Sequence, residues 1–191
     1  MTVKAAARRL KALAAEIPDD GYSRTILSGL SHREDPAHDR SIVLIASALV
    51  ENALEVAILS KMVQVSTDFR KRLFSYDGNG PLATFDARIK IAFALGLVGP
   101  RTKDDLDQIR IIRNHFAHIP DLIDFDTEEI ATLCRSFHLQ STFSIVEGIS
   151  DDPRIIFVNV TLALLSRLKS DMEGDFSNRF GTFSKRSFFL P

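Results

Sequence analysis

The amino-acid sequence predicts an all-α protein, a single-domain bundle of seven or eight helices around a central apolar helix at about residues 37–63. Two observations support this fold class. Apolar residues recur every three or four positions along most of the chain, which is the period of an amphipathic helix. Clusters of proline, glycine and aspartate interrupt the pattern at points where helices can end or begin. A chain of 191 residues can bury enough surface to fold without a metal or a disulfide.

The predicted helices follow one another between these interruptions. The first is basic and amphipathic, and its charges break up the apolar run, which favours a folded helix over a targeting segment. Residues 141–150 could form a short strand. We expect residues 1–172 to form the domain and residues 173–191 to form a Phe-rich C-terminal arm. The helices are predicted at about residues 3–17, 21–32, 37–63, 67–75, 84–97, 102–118, 126–140 and 152–172.

The central helix is apolar on nearly all sides, as helices at the centre of a bundle usually are. Glu51 and Glu55 lie one turn apart on a stripe that also carries Leu44, Ala48 and Ile58. Carboxylates on a buried stripe are costly unless they are paired or hydrogen-bonded. The two glutamates therefore need partners from another helix.

The segment "RIIRNHFAH", residues 110–118, offers such partners. Beside its core-facing stripe runs a second, polar stripe, formed by Arg110, Arg113, Asn114, Ala117 and His118. In one interpretation, both arginines neutralise the two glutamates in a structural ion-pair network. In the other, arginine binds a phosphate and histidine transfers a proton. An arginine and a histidine suffice in principle for RNA cleavage without a metal.

Composition and charge exclude several classes of protein. The net charge is −1, the basic clusters (among them residues 70–72) are short enough to be solvated faces, and no helix-turn-helix pattern occurs, which argues against direct DNA binding. No histidine spacing suits a metal, and we expect neither a metal nor a cofactor. Cys134 is expected to be a buried, unreactive thiol. Uncharged runs such as residues 41–50 are too short to span a bilayer, so we expect a soluble, cytoplasmic protein with no membrane partner.

The glycine-containing segment "DGNGPLATF", residues 77–85, lacks the Lys-Ser/Thr pair of a phosphate-binding loop. We interpret it as a tight connection that ends in an N-cap at Thr84, with Asp86 in the first turn of the next helix. Arg88 follows on that helix and could join the polar stripe of residues 110–118, a question that the sequence leaves open.

The C-terminal arm carries five phenylalanines among polar and basic residues in its last 16 positions. Such a segment can stack on single-stranded nucleic acid. It can equally dock into a groove of its own domain or of a partner subunit. Docking is favoured, because five exposed phenylalanines would promote aggregation.

The stretch "RNHFAH" resembles the Rx4–6H motif of the HEPN superfamily, which consists of all-α proteins and includes many metal-independent ribonucleases. The resemblance implies that Arg113, Asn114 and His118 would be the catalytic residues of such an enzyme, with Glu51 as an acidic partner. It also implies a homodimer, because the motifs of two subunits meet at the interface of those ribonucleases.

Three blocks, "SALVENALE", "GNGPLATFDARIKIAFALGLV" and "IRIIRNHFAH", resemble the mannitol operon repressor family in order and spacing over about residues 42–118. This resemblance implies a repressor-type regulator of transcription. We therefore expect a homodimeric regulator that acts through a protein partner. The alternative is a HEPN-type endoribonuclease, a toxin or defence effector that cleaves RNA, and the intact motif keeps the question of enzyme activity open.

Overall fold

The computed structural model describes residues 36–75, 79–119, 123–140 and 151–170. The all-α prediction is confirmed, because this part of the chain contains helices and no strand. The helices are α1 (Pro36–Ser60), α2 (Thr67–Phe74), α3 (Phe85–Ala94), α4 (Pro100–His118), α5 (Glu128–Arg135) and α6 (Pro153–Ser170).

These six helices correspond to six of the predicted ones, with ends that differ by a few residues. The predicted total of seven or eight is not established, because the helices expected at 3–17 and 21–32 lie outside the described residues. The short strand considered at 141–150 and the arm at 173–191 also lie outside them.

Helix α1 is the centre of the bundle, as its apolar sequence predicts. It packs against α6, α4 and α3, and its buried face includes Ile42, Ala46, Val50 and Leu54. Within the described residues, α1 is the one helix that is long and apolar enough to cross a membrane. The length of its uncharged run alone does not reveal this. Of this apolar stretch, 56% is buried inside the protein. The core helix of a soluble bundle needs apolar side chains just as a membrane-spanning helix does, and this accounts for the composition of α1.

Helix α1 ends three residues earlier than predicted, at Ser60. The next two amide groups donate to carbonyls three residues back: Lys61 N to Ile58 O at 3.0 Å and Met62 N to Leu59 O at 3.1 Å. Such tight bonds close the last turn of a helix and satisfy its terminal carbonyls.

Helix α5 ends five residues earlier than predicted, at Arg135, and a buried carboxylate explains the difference. Asp105 of α4 accepts hydrogen bonds from the backbone N–H groups of His138, at 2.7 Å, and of Leu139, at 3.0 Å. These N–H groups would otherwise continue the helix, so α4 fixes the point at which the chain turns away. Burial raises the pKa of Asp105, and the two hydrogen bonds oppose this shift.

A second buried carboxylate ties the start of α1 to α6. Asp39 Oδ1 lies 2.8 Å from Arg154 Nε, and Asp39 Oδ2 accepts a hydrogen bond from Phe125 N at 3.2 Å. The apolar core fills the space between these elements. Its aromatic centre is formed by Phe116, Phe125 and Phe157, whose successive ring centroids lie 5.7 and 5.5 Å apart.

Candidate functional site

Five charged side chains from four helices meet beside the core and form what we call the arginine–glutamate network. Helix α1 supplies Glu51 and Glu55, α2 supplies Arg70, α3 supplies Arg88 and α4 supplies Arg113. The structure thus brings residues that lie far apart in the chain to one side of the central helix.

Arg88 is the central cation of the network and is only 5% exposed. Its Nη1 lies 3.7 Å from Glu51 Oε1 and 3.3 Å from Glu55 Oε2. Its guanidinium also donates to three backbone carbonyls: Nε to Leu82 O at 2.9 Å, Nη1 to Glu51 O at 3.3 Å and Nη2 to Phe74 O at 3.3 Å. A buried guanidinium is tolerated only when its donors are satisfied in this way.

The glycine-containing connection builds the acceptors for Arg88. A Cβ on Gly80 would lie 2.4 Å from Leu73 O, so the chain at Gly80 lies directly against the end of α2. Leu82 N then donates to Leu73 O at 2.8 Å, which fixes the Leu82 carbonyl that Arg88 uses. The predicted N-cap is confirmed, because Thr84 accepts a hydrogen bond from Ala87 N at 3.1 Å.

The two outer arginines flank the glutamate pair. Arg70 binds Glu55 Oε1 through Nε at 3.0 Å and through Nη2 at 2.8 Å. The interpretation of residues 70–72 as a solvated basic face holds only in part for Arg70, because its side chain is 40% exposed but its head group pairs with Glu55 of the central helix, whose side chain is 14% exposed. Arg113 Nη2 lies 3.5 Å from Glu51 Oε2, and Arg113 Nη1 donates to Asn114 Oδ1 at 3.0 Å.

The stripe predicted on residues 110–118 is only partly brought to the network. Arg113 reaches Glu51 and has a side chain that is 29% exposed. Arg110 reaches neither glutamate; its guanidinium lies 3.3 Å from Asp107 and 3.7 Å from Asp86 on the outer side of α4.

Asn114 lies beside Arg113 and is partly exposed, while His118 is exposed in the last turn of α4. In the described part of the chain, no hydrogen bond or ion pair joins His118 to the network. The helix ends at the predicted position, since Ile119 is its C-cap and has an extended backbone.

The electrostatics of the network follow from its burial. Desolvation raises the pKa of Glu51, the charges of Arg88 and Arg113 act against this rise, and the charge of Glu55 adds to it. Three guanidiniums face two carboxylates, which leaves one positive charge in excess when all five groups are ionised. The part of the Arg113 guanidinium that remains exposed can therefore bind an anion or a carbonyl oxygen.

Two further predictions can be compared with the structure. The expectation that Cys134 is buried is confirmed, and burial raises the pKa of its thiol to about 12, which disfavours the reactive thiolate. Among the residues that the structure describes, no group of three histidine, cysteine or carboxylate side chains is arranged to hold a metal ion.

Sequence reasoning missed the role of Arg70 and left that of Arg88 open; the structure shows that Arg88 and Arg113 both contact Glu51. A signal for them existed, because two carboxylates on a buried stripe need cationic or hydrogen-bonding partners from other helices. The sequence offers several arginines as candidates, and only the packing of α2 and α3 against α1 selects between them.

Comparison with known proteins adds one finding. A family model described as mannitol repressor matches residues 34–169, which is more than half of the chain. The matched range includes all five residues of the arginine–glutamate network and every helix from α1 to α5. No curated protein and no solved structure matches the chain.

Proposed function

Because the chain belongs to the mannitol repressor family, we propose that it is a repressor-type regulator of transcription that acts as a regulatory interaction protein rather than by reading DNA itself. The family match over residues 34–169 carries this proposal. The net charge of −1 supports an indirect mode of action, because the molecule as a whole does not attract polyanions. We further propose that the protein is a cytoplasmic homodimer and that its partner in regulation is another protein.

A reporter experiment tests this function. A mannitol-operon promoter fused to a reporter gene should be repressed when the full chain is expressed, and purified protein should not retard the same promoter DNA at physiological salt. Absence of repression would refute the regulatory function. Operator binding that is sequence-specific and persists at high salt would refute the indirect mode of action, because specific contacts depend on salt less than phosphate contacts do.

A second candidate function is metal-independent cleavage of RNA. One observation favours it: Arg113 is backed by Glu51, bonded to Asn114 and still 29% exposed, so it can contact a phosphate. In this mechanism His118 takes the proton of the 2′-hydroxyl, and Arg113 stabilises the negative charge that develops on the phosphate. The 2′-oxygen bonds to the phosphorus as the bond to the 5′-oxygen breaks, and the departing 5′-oxygen takes up a proton from water, so the products are a 2′,3′-cyclic phosphate and a free 5′-hydroxyl.

The ribonuclease candidate predicts cleavage of an RNA pool that persists in EDTA. His118→Ala should lower the rate by about 10²–10⁴, because the proton carrier is lost. His115→Ala is the matched control, since His115 is exposed in the same last turn and should leave the rate unchanged. An RNA pool left intact by the wild-type protein, or equal rates for both variants, would exclude this mechanism.

A further inference from the structure

Arg113 uses less of its hydrogen-bonding capacity than the other two arginines of the arginine–glutamate network. The guanidinium of Arg88 donates to three backbone carbonyls, and that of Arg70 donates twice to a carboxylate. In the described part of the chain, the side chain of Arg113 makes one hydrogen bond, from Nη1 to Asn114 Oδ1. Its Nη2 lies 3.5 Å from Glu51 Oε2, which is longer than an ordinary hydrogen bond. Since a guanidinium carries five N–H donors, Arg113 has donors left for a ligand.

Asn114 adds a further donor beside this guanidinium. Its Oδ1 accepts the hydrogen bond from Arg113, so the opposite end of the amide, Nδ2, carries the two N–H groups. Among the described residues, no acceptor is bonded to this Nδ2. Both side chains are partly exposed on α4. Together they offer N–H donors from two neighbouring groups to a molecule that approaches from solvent.

Helices α1 and α4 run antiparallel where they carry these residues. Glu51, in the second half of α1, lies 3.5 Å from Arg113. Arg40, near the start of α1, donates from Nη2 to the carbonyl of Ile119, the C-cap of α4, at 3.0 Å. The direction from Arg113 to the end of α4 is therefore the direction from Glu51 to the start of α1.

Two exposed alanines leave space on this side of the ion pair. Ala117 lies one turn after Arg113 on α4, and Ala48 lies one turn before Glu51 on α1. Because the two helices are antiparallel, both alanines lie on the same side of the pair. Their methyl groups are too short to cover the guanidinium, so a small group can approach Arg113 there.

We propose that Arg113 and Asn114, in the space beside Ala48 and Ala117, bind the phosphate group of a small phosphorylated molecule. We call these four residues the Arg113 site. The proposal rests on the proposed function, for which it names a ligand that the regulator binds. It requires neither His118 nor cleavage of RNA, and it is therefore distinct from the ribonuclease candidate.

Charge and geometry select a phosphate monoester. The network carries one positive charge in excess when its five groups are ionised, and a monoester carries about 1.5–2 negative charges at pH 7. The guanidinium fork can bind two of its oxygens, and Asn114 Nδ2 can donate to the third. A carboxylate has two oxygens and would leave some of these donors without an acceptor.

A small molecule fits the Arg113 site better than a nucleic acid does. Affinity for a nucleic-acid backbone grows with the number of phosphates that are neutralised, and Arg113 would neutralise about one. Arg110, one turn earlier on α4, is already paired with Asp107 and Asp86. The neighbouring phosphate of a polyanion would therefore find no unpaired arginine one turn before Arg113.

Isothermal titration calorimetry of the full chain at constant ionic strength tests the site. The probes are inorganic phosphate, glycerol phosphate, acetate and single-stranded RNA. Arg113→Gln and Ala117→Glu should each weaken binding of both phosphate probes about tenfold or more. The first removes the guanidinium, and the second places a carboxylate one turn away, where it pairs with Arg113. Arg110→Gln and Thr132→Glu are the controls with the same changes of charge, since Arg110 is paired elsewhere and Thr132 is exposed on α5.

Binding of both phosphate probes in preference to acetate and RNA, with losses confined to Arg113→Gln and Ala117→Glu, would support the proposal. Equal losses for the two controls, binding of acetate or RNA at least as strong as that of phosphate, or no binding of phosphate by wild-type protein would overturn it. Circular dichroism verifies that the variants fold. Ala117→Glu decides the matter even when Arg113→Gln does not fold, because position 117 is exposed and glutamate favours a helix.

The reporter experiment separates this proposal from the proposed function. If wild-type protein represses but binds no phosphate, the Arg113 site is refuted and the proposed function stands. If wild-type protein binds phosphate with the expected losses in the variants but does not repress, the proposed function fails and the Arg113 site stands.

Discussion

At the scale of single residues, Arg88 is the side chain on which most of the network depends. Its guanidinium contacts both glutamates of α1 and three backbone carbonyls, and it lies 5.3 Å from the centre of the Phe74 ring. Lysine could not replace it, because an ammonium group has three donors and lacks the planar fork that reaches acceptors on several sides. Its role is therefore to hold α1, α3 and the end of α2 together.

We predict that Arg88→Ala lowers the free energy of unfolding by about 3–5 kcal/mol, because it leaves two buried carboxylates near each other without their central cation. Urea unfolding monitored by circular dichroism measures the change. Arg110→Ala is the control and should cost less than about 1 kcal/mol, since Arg110 pairs with Asp86 and Asp107 near the surface. Equal losses for the two variants would show that Arg88 is not the centre of the network.

Glu51 should give the stability a characteristic dependence on pH. Burial raises its pKa above 4.5, so the folded protein holds this proton more tightly than the unfolded chain does. The contribution of Glu51 is therefore complete below pH 4.5 and is lost as the pH rises through the folded-state pKa. Glu51→Gln removes the titrating group, so the stability of wild type relative to this variant should fall as the pH rises above 4.5.

Urea unfolding of both proteins across this range of pH measures the difference. Glu129→Gln is the matched control, because Glu129 is exposed in the first turn of α5 and should follow the wild-type curve. A stability difference between wild type and Glu51→Gln that rises with pH would mean that the paired arginines outweigh burial, and would reverse the assigned direction of the shift.

At the scale of elements, the connection between α2 and α3 acts as a structural unit with the end of α2. Gly80 N donates to Ser75 O at 3.0 Å, and Ala83 N donates to Gly80 O at 3.0 Å, so the turn is closed on both sides of the glycine. Asn79 adopts a left-handed conformation, with φ of 50°, which asparagine tolerates better than most residues. This turn positions the Leu82 carbonyl that accepts from Arg88.

We predict that Gly80→Ala lowers the free energy of unfolding by about 1–3 kcal/mol, because the added Cβ meets backbone atoms that cannot move without breaking the turn. Gly99→Ala is the control, since a Cβ there has no heavy atom within 4 Å. Gly99 is the N-cap of α4, so its replacement should cost about 0.5 kcal/mol from the weaker cap. Thermal unfolding compares the two variants, and an undiminished melting temperature for Gly80→Ala would contradict the close approach.

At the scale of the whole molecule, the described helices enclose α1 on one side more than on the other. The face of α1 toward α3, α4 and α6 is fully buried, whereas Leu44 and Ile45 on the opposite face are 37% and 38% exposed. Adjacent exposed apolar side chains at a helix surface are typical of contacts with further chain or with another subunit.

We predict a homodimer, as the HEPN resemblance implies. Sedimentation equilibrium of the full chain at micromolar concentration should give about twice the mass of one chain. Dilution should shift the apparent mass toward that of the monomer only at much lower concentration. A monomer mass at micromolar concentration would contradict the prediction and would also weaken the ribonuclease candidate, for which the HEPN resemblance implies an active site shared by two subunits.

The sequence by itself determined the class of the fold, the six described helices and the N-cap at Thr84. These features depend on residues within a few positions of one another, because the helical period and capping hydrogen bonds are local. The sequence also determined that Glu51 and Glu55 need partners, since a buried carboxylate is costly wherever it lies. The burial of Cys134 followed in the same way from the periodicity around it.

Only the tertiary structure decided which arginines meet the glutamates. Arg110 and Arg113 are one turn apart on α4, and the angle at which α4 packs on α1 turns Arg113 toward Glu51 and leaves Arg110 outside. The hydrogen bond from Arg88 to Glu51 O spans 37 positions of the chain, and no local pattern encodes such a distance. The physical reason is that a helix period fixes which side chains share a face, whereas packing between helices fixes what that face meets.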